Sequence, residues 1–413
     1  MNFQPPSKSL TTRDYQFIAL VLILFLAISV GLVFANLSLP NGGGDFYVHW
    51  FGARGFLFEQ TDPYSGMIPI RVQAIVYDDA IQAGDEVYIL DTPFHILLLY
   101  FPFSFLADPQ LARAIFTLIV ELALFALVYL SLRLTDWETP RWFSLLFFIF
   151  CVLNFYTFQA ILSASPVLIL GLIYAGMLFA LQNEQDELLG GLFAISLYYW
   201  EVGLPFMLLI AWRAYKESRV RVLAGFFMLS FILLIISFLL YPDWLFPYLR
   251  AGMNNLRSDF GFTIFTSLQN LFPSFGRTLA WIIITMLVIA FGYEWNALQE
   301  ADSRRFYWVC CLSLGIAPLL GFRTEMEHLA VLIIPLALIF SIVYDRWKIG
   351  GGLTILLLLF LFAFPWLLYF LNPITLTQEI LFLFLPLFTL IGLYWIRWWA
   401  LSPPRVWADL TKT

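Results

Sequence analysis

Residues 213–241 read RAYKESRVRVLAGFFMLSFILLIISFLLY: five charges crowd into nine residues, and the next twenty carry none. An apolar run of about 20 residues is what a helix needs to cross roughly 30 Å of hydrocarbon. Lys and Arg gather at the cytoplasmic ends of such helices, so Arg213, Lys216, Arg219 and Arg221 put the start of this one on the inside. The stretch reads as one transmembrane helix of fixed direction.

The rest of the chain repeats it. Of 413 residues, 61% are hydrophobic, 19% aromatic and only 12% charged, which excludes a soluble domain. The fold class expected is an all-α polytopic membrane protein, with spans at 15–37, 92–107, 110–132, 141–158, 163–182, 187–212, 219–241, 278–296, 305–321, 328–344, 350–371 and 376–398. Twelve spans are expected, within a range of 10–12. The runs 92–107 and 141–158 are short and carry Pro93, Pro102 and Asn154, so either can be re-entrant.

With twelve crossings and a cytoplasmic N-terminus, fourteen Lys and Arg fall inside and eight outside (Arg54, Arg71, Arg133, Arg141, Arg250, Arg257, Arg277 and Arg323). Both termini are therefore expected in the cytoplasm, in the plasma membrane. The first run follows Lys8 and Arg13 but is long for a signal peptide, and an uncleaved span is expected. Cys151, Cys310 and Cys311 lie within apolar runs, with no zinc-type spacing, and read as small core residues. A net charge of −6 gives no basic surface for nucleic acid, and membrane lipids are the expected surroundings.

Two outer segments, 38–91 and 242–277, are too long for connectors and are the expected functional parts of a single domain, 1–413. The first holds eight acids against two arginines, a balance equal to the net charge of the whole chain. Its stretch DFYVHWFGARGFLFE has helical periodicity, with Phe46, Trp50, Ala53 and Leu57 on one stripe and Asp45 and His49 on another. That predicts an interfacial helix, then a turn at TDPYSG and a second short helix opened by Pro69, with Val72, Ile75 and Val76 on its apolar face. In the second segment, WLFPYLRAGMNNLRS offers Trp244, Leu249 and Leu256 to a membrane surface and Arg250 and Arg257 to water or phosphate.

An Asp just past the first span, a DPY motif (Asp62-Pro63-Tyr64), a proline-containing start to the second span, the break FQAILSASPVLILGL and a late His opening a span in EMEHLAVLIIPL together resemble the GT-C membrane glycosyltransferases. The likeness is nearest to the polyprenol-phosphate-mannose-dependent α-mannosyltransferases and covers most of the chain; beyond residue 345 only apolar helix matches. It implies transfer of a hexose from a polyprenyl-phosphate-linked donor to a hydroxyl of a glycolipid or glycan acceptor at the outer face.

The family places its catalytic aspartate where Asp45 stands. As general base, Asp45 would take the hydroxyl proton while cations or N–H groups stabilise the departing phosphate. The alternative is that Asp45 only N-caps the interfacial helix. His328 matches the family's late histidine as a phosphate contact, with Arg323 nearby and Arg250 and Arg257 next in line. His49 can orient Asp45 from one turn away, and Tyr64 belongs to the DPY motif. Glu201 lies within the sixth span, where a carboxyl is costly, and family members often carry a lysine near this position. It can contact a sugar hydroxyl or pair with another helix. The outer loops hold no Asp-x-Asp cluster, and Asp78-Asp79 are adjacent, so no metal or other cofactor is expected. A lipid or glycolipid transporter without transferase chemistry is the competing class, although internal repeats typical of transporters are not evident.

Overall fold

The structure, a computed structural model, describes residues 12–39, 42–77, 87–137, 139–256, 261–300, 303–371 and 375–401, with main chain alone at 12–22, 255, 256, 299, 300 and 375. Helix α1 (Thr12–Leu37) leads into the first long segment, which holds α2 (Gly44–Phe58) and α3 (Met67–Val76). There follow α4 (Phe94–Ser104), α5 (Pro109–Leu134), α6 (Arg141–Leu153), α7 (Phe155–Leu162), α8 (Val167–Gln182), α9 (Asp186–Ser196), α10 (Trp200–Lys216) and α11 (Val220–Leu240). The second long segment carries α12 (Leu245–Leu256) and α13 (Ile264–Leu271), and the chain continues through α14 (Gly276–Asn296), α15 (Ser303–Ile316), α16 (Ile333–Arg346), α17 (Gly350–Leu371) and α18 (Thr375–Leu401). Among the described residues the one β feature is an antiparallel bridge between Phe262 and Thr324.

The all-α polytopic class holds. Seven described helices are long and apolar enough to cross a membrane, and eight if the bent pair α6–α7 counts as one span. Several of the remaining apolar runs form shorter or bent helices among the described residues. The run 92–107 becomes α4, only 11 residues long with Pro102 inside it. The run 141–158 breaks at Asn154, which accepts from Tyr156 N at 3.1 Å and so caps α7, and the chain bends by 54° there. Helices α8 and α15 have 16 and 14 residues, short of the full thickness at about 1.5 Å per residue.

Of these short helices, α15 is apolar because protein surrounds it. Every residue of α15 from Phe306 to Ile316 is buried, and non-spanning helix is tolerated at membrane depth when protein covers it. Burial also ranks the long helices. Of the apolar window in 326–346, 83% is buried inside the protein, against 11% for α14, so the span that opens with His328 is the centre of the bundle. It packs on α5, α15, α17 and α18. The three cysteines are buried and unpaired, as their apolar setting predicts.

In the first long segment, helix α2 forms where expected, and Phe46, Tyr47, Val48, His49, Trp50 and Ala53 are all buried, so it is packed into the protein on more than its apolar stripe. It rests on α3, α4 and α5. Trp244 is likewise turned inward, 3% exposed and against Phe238 and Tyr248, while Leu249 is exposed as expected. Asp78, Asp79, Asp85 and Glu86 lie outside the described residues.

Candidate active site

Gly43 takes a left-handed conformation just ahead of α2 (φ 87°, ψ 31°), and a Cβ there would stand 2.8 Å from Arg113 Cδ. Only glycine makes this turn without strain. Arg113 Nη1 donates to Gly42 O at 2.8 Å and pins the turn to α5. The N-cap is therefore Gly43, and no side chain caps the helix, which removes the capping role considered for Asp45. Asp45 sits in the first turn, half-buried. Ser165 Oγ donates to its Oδ2 at 3.4 Å, and its charge acts on the Tyr100, Tyr198 and Tyr199 hydroxyls.

His49 does not orient that carboxylate. Its Nδ1–H donates to the main-chain oxygen of Asp45 at 2.6 Å, because four residues back along a helix the nearest acceptor is a carbonyl. Nε2 then faces Tyr198 Oη at 2.7 Å and Thr92 Oγ1 at 3.1 Å, and the ring stacks on Tyr100 with centroids 4.6 Å apart. Burial lowers its pKa to about 4, against the opposing pull of the Asp45 hydrogen bond, so the ring is neutral near pH 7. His49 thus fixes the main chain beneath Asp45.

The late span reaches the same place. Glu325 and Glu327 each bring a carboxylate oxygen to Asp45, and the three oxygens lie within 4.8 Å of one another. Glu325 N–H donates to His328 Nδ1 at 3.2 Å, so in the neutral ring Nε2 carries the hydrogen. That Nε2 is buried without a hydrogen-bond partner and stands 4.0 Å from Glu325 Oε2. The His328 ring lies 5.1 Å from that of Tyr199, which ties it to the segment joining α9 and α10.

Arg323 is placed by a second glycine. Gly261 has φ 84°, and a Cβ on it would fall 2.7 Å from Arg323 Nε, so the side chain crosses a gap that only glycine leaves. The bridge Phe262 N to Thr324 O (2.8 Å) and Thr324 N to Phe262 O (2.9 Å) clamps the second long segment onto the strand-like approach to Glu325. Glu201, two residues before the non-helical Gly203 in α10, feels the charges of Asp91 and Arg323.

Two expected contributors lie elsewhere. Tyr64 donates its hydroxyl to Thr92 O at 2.9 Å, and its N–H is accepted by Asp62 Oδ1 at 2.9 Å, which makes DPY an Asx turn. With Arg250 it lines a separate cavity of about 540 Å³, together with Asp62, Asp243, Phe246 and Asn254, whose wall does not include Asp45. Arg257 lies outside the described residues.

The structure thus joins Asp45, His328 and the approach carrying Arg323, and it adds Glu325, Glu327, Ser165, Tyr198 and Tyr199. The signal for the glutamates is present in the sequence as Glu325-Met326-Glu327 beside the late histidine. A cluster of three carboxylates, with tyrosine hydroxyls and the buried His328 N–H beside it, can bind hydroxyls and accept a proton from one. No protein-family model matches the chain, and no curated protein matches it.

Proposed function

We propose that the chain is a GT-C-type membrane glycosyltransferase. It moves a hexose, with mannose the first choice, from a polyprenyl-phosphate-linked donor to a hydroxyl of a glycolipid or glycan acceptor at the outer membrane face. The observation that carries this reading is a convergence. The resemblance rests on an aspartate after the first span and a histidine opening a late one, and these two segments, remote in sequence, meet within one cluster of side chains.

The chemistry needs few parts. Asp45 accepts the proton of the acceptor hydroxyl as its oxygen bonds to the anomeric carbon. The bond from that carbon to the donor phosphate oxygen breaks, and polyprenyl phosphate leaves with the electron pair, inverting the centre. His328 Nε2–H and the Arg323 guanidinium are donors suited to the departing phosphate oxygens. The separate cavity lined by Tyr64, Asp62 and Arg250 has the polar lining that suits a hydroxyl-bearing acceptor. The apolar flanks of α11 and α14 suit the donor's lipid tail, with Phe227, Phe231 and Ile289 exposed along them.

The test is transfer of labelled sugar from polyprenyl-phosphate mannose in membranes holding wild type, Asp45→Asn or Asp78→Asn. Removing a general base should cost roughly 10²- to 10⁴-fold, whereas the Asp78 change in the same loop should cost little. Equal rates in all three would sink the assignment and favour the transporter class.

A further inference from the structure

The cavity that Tyr64 shares with Arg250 has no part in proton transfer at Asp45, which lies outside its wall. It opens between the two long segments. The DPY turn and Pro69 form one side, and Asp243 with the first turns of α12 forms the other. Its volume of about 540 Å³ is within the ordinary range for a small-molecule site. Both sides are held by contacts within the protein. Asp62 Oδ1 accepts from Tyr64 N at 2.9 Å, and the Tyr64 hydroxyl donates to Thr92 O at 2.9 Å. The Tyr64 ring meets that of Tyr248 on α12 with centroids 6.3 Å apart, and Trp244 backs Tyr248 at 5.7 Å. A wall ordered in advance lowers the cost of binding.

The lining narrows the ligand by its chemistry. Asp62 and Asp243 set two negative charges against the one of Arg250, which disfavours a phosphate or another anion. A hydrocarbon tail is disfavoured too, since it would strip water from three charged groups and return no hydrogen bond. A neutral molecule rich in hydroxyls meets both conditions. The carboxylates accept from hydroxyls, Arg250 donates to them, and Asn254 does both. Phe246, 74% exposed, and Pro247 beside it supply flat apolar surface of the kind that the C–H face of a sugar ring covers. Ser65 adds an independent observation. Its hydroxyl, in the same wall, is buried with no hydrogen-bond partner among the described residues, whereas a buried hydroxyl ordinarily has one. A sugar hydroxyl can donate to it or accept from it.

We propose that this cleft binds one sugar unit of an oligosaccharide, and that the unit held there is not the one that reacts. The second half rests on the transferase reading. A sugar held against Phe246 and Arg250 is outside the reach of a base that the wall excludes, so the attacking hydroxyl belongs to another unit of the same chain. The acceptor is then a glycan of several sugars, which distinguishes it from a protein side chain.

The full chain, in nanodiscs free of glycoside detergent, is titrated with tetrasaccharides of mannose, glucose and N-acetylglucosamine and with the matching monosaccharides, and binding is followed by saturation-transfer NMR. At least one tetrasaccharide should bind saturably and more tightly than its monosaccharide. Phe246→Ala should weaken that binding about tenfold by removing an apolar face, and Asn254→Ala about 2- to 10-fold by removing a hydrogen bond. Phe275→Ala, an exposed ring of the same segment outside the cavity wall, should bind as wild type. Unfolding temperatures of the variants should stay near that of wild type, because Phe246 and Asn254 are exposed. No saturable binding of any tetrasaccharide, or unchanged binding in both cavity variants, overturns the proposal, and so does binding of glycerol phosphate in place of the sugars. The two readings fail separately. Oligosaccharide binding by a chain that transfers no sugar keeps the cleft and removes the transferase. Transfer to a glycan acceptor with KM unchanged in Phe246→Ala and Asn254→Ala does the reverse.

Discussion

Replacing His328 by leucine should reduce kcat/KM for sugar transfer by roughly 10- to 150-fold, and replacing it by glutamine should reduce it far less. The reasoning starts from the tautomer. Glu325 N–H occupies Nδ1, so the one group His328 offers to a ligand is Nε2–H, buried and without a protein acceptor. A hydrogen bond to a charged partner contributes about 1.5–3 kcal/mol, and each 1.36 kcal/mol is tenfold in rate, which gives that range. Glutamine places an N–H near the position of Nε2; leucine keeps the bulk and removes both polar atoms. Both substitutions also strip the acceptor from Glu325 N–H, at about 1 kcal/mol of stability, so that loss is shared and cancels in the comparison. The assay is initial-rate transfer from labelled polyprenyl-phosphate mannose in proteoliposomes, with thermal unfolding of each variant recorded alongside. Equal loss in the two variants would show that His328 acts only through Glu325, and the donor role would be wrong.

Two further outcomes test the frame around the site. Gly261→Val forces a β-branched residue to φ 84° with its Cβ 2.7 Å from Arg323 Nε. It should cost about 1–2 kcal/mol for the left-handed backbone, displace Arg323, and raise the KM for the lipid donor more than that for the acceptor. Glu294→Gln removes a 3%-exposed carboxylate that takes two bonds from Arg397, at 2.8 and 3.0 Å, with Arg305 3.8 Å away. The two guanidiniums keep about a third of their exposure, so the loss should be on the order of 2–4 kcal/mol, below that of a wholly buried pair. It should appear as a lower unfolding temperature with kcat/KM unchanged, because this network belongs to the ends of α14, α15 and α18.

The long helices were legible because lipid and sequence speak the same language. Residues 222–240 carry no charge on any side, and most of that helix does face outward. The same criterion fails for α4, α7, α8 and α15, since hydropathy records that a segment avoids water and not whether lipid or protein shields it. Phe306 to Ile316 would look identical as a span, yet its shield is the rest of the bundle. The breaks were better marked: Asn154 and Pro102 stand where the structure bends or stops. For α2, the apolar stripe was visible, but its second buried face, with Tyr47 and His49, was not, because His49 and the tyrosines it meets are polar by type and become core only through their partners.

Glu325 and Glu327 show why a site can be present in a sequence and still escape a helical reading. Counted as helix, residues two apart point about 200° from each other, so Glu-Met-Glu before an apolar span suggests one carboxylate toward the protein and one away. The main chain is not helical at that point. Glu325 is extended (φ −92°, ψ 163°), continuing the bridge that pairs Thr324 with Phe262, and the turn that follows, Met326–Leu332, is 3-10 before α16 begins. The pair straddles this change from extended chain to 3-10 turn, and both glutamates reach Asp45. What sets that conformation is the hydrogen bonding of Phe262, more than sixty residues earlier and held beside the left-handed Gly261. The register of the acidic pair is therefore a tertiary property: it is decided by a glycine in the second long segment, and a motif search along the late span alone cannot see it.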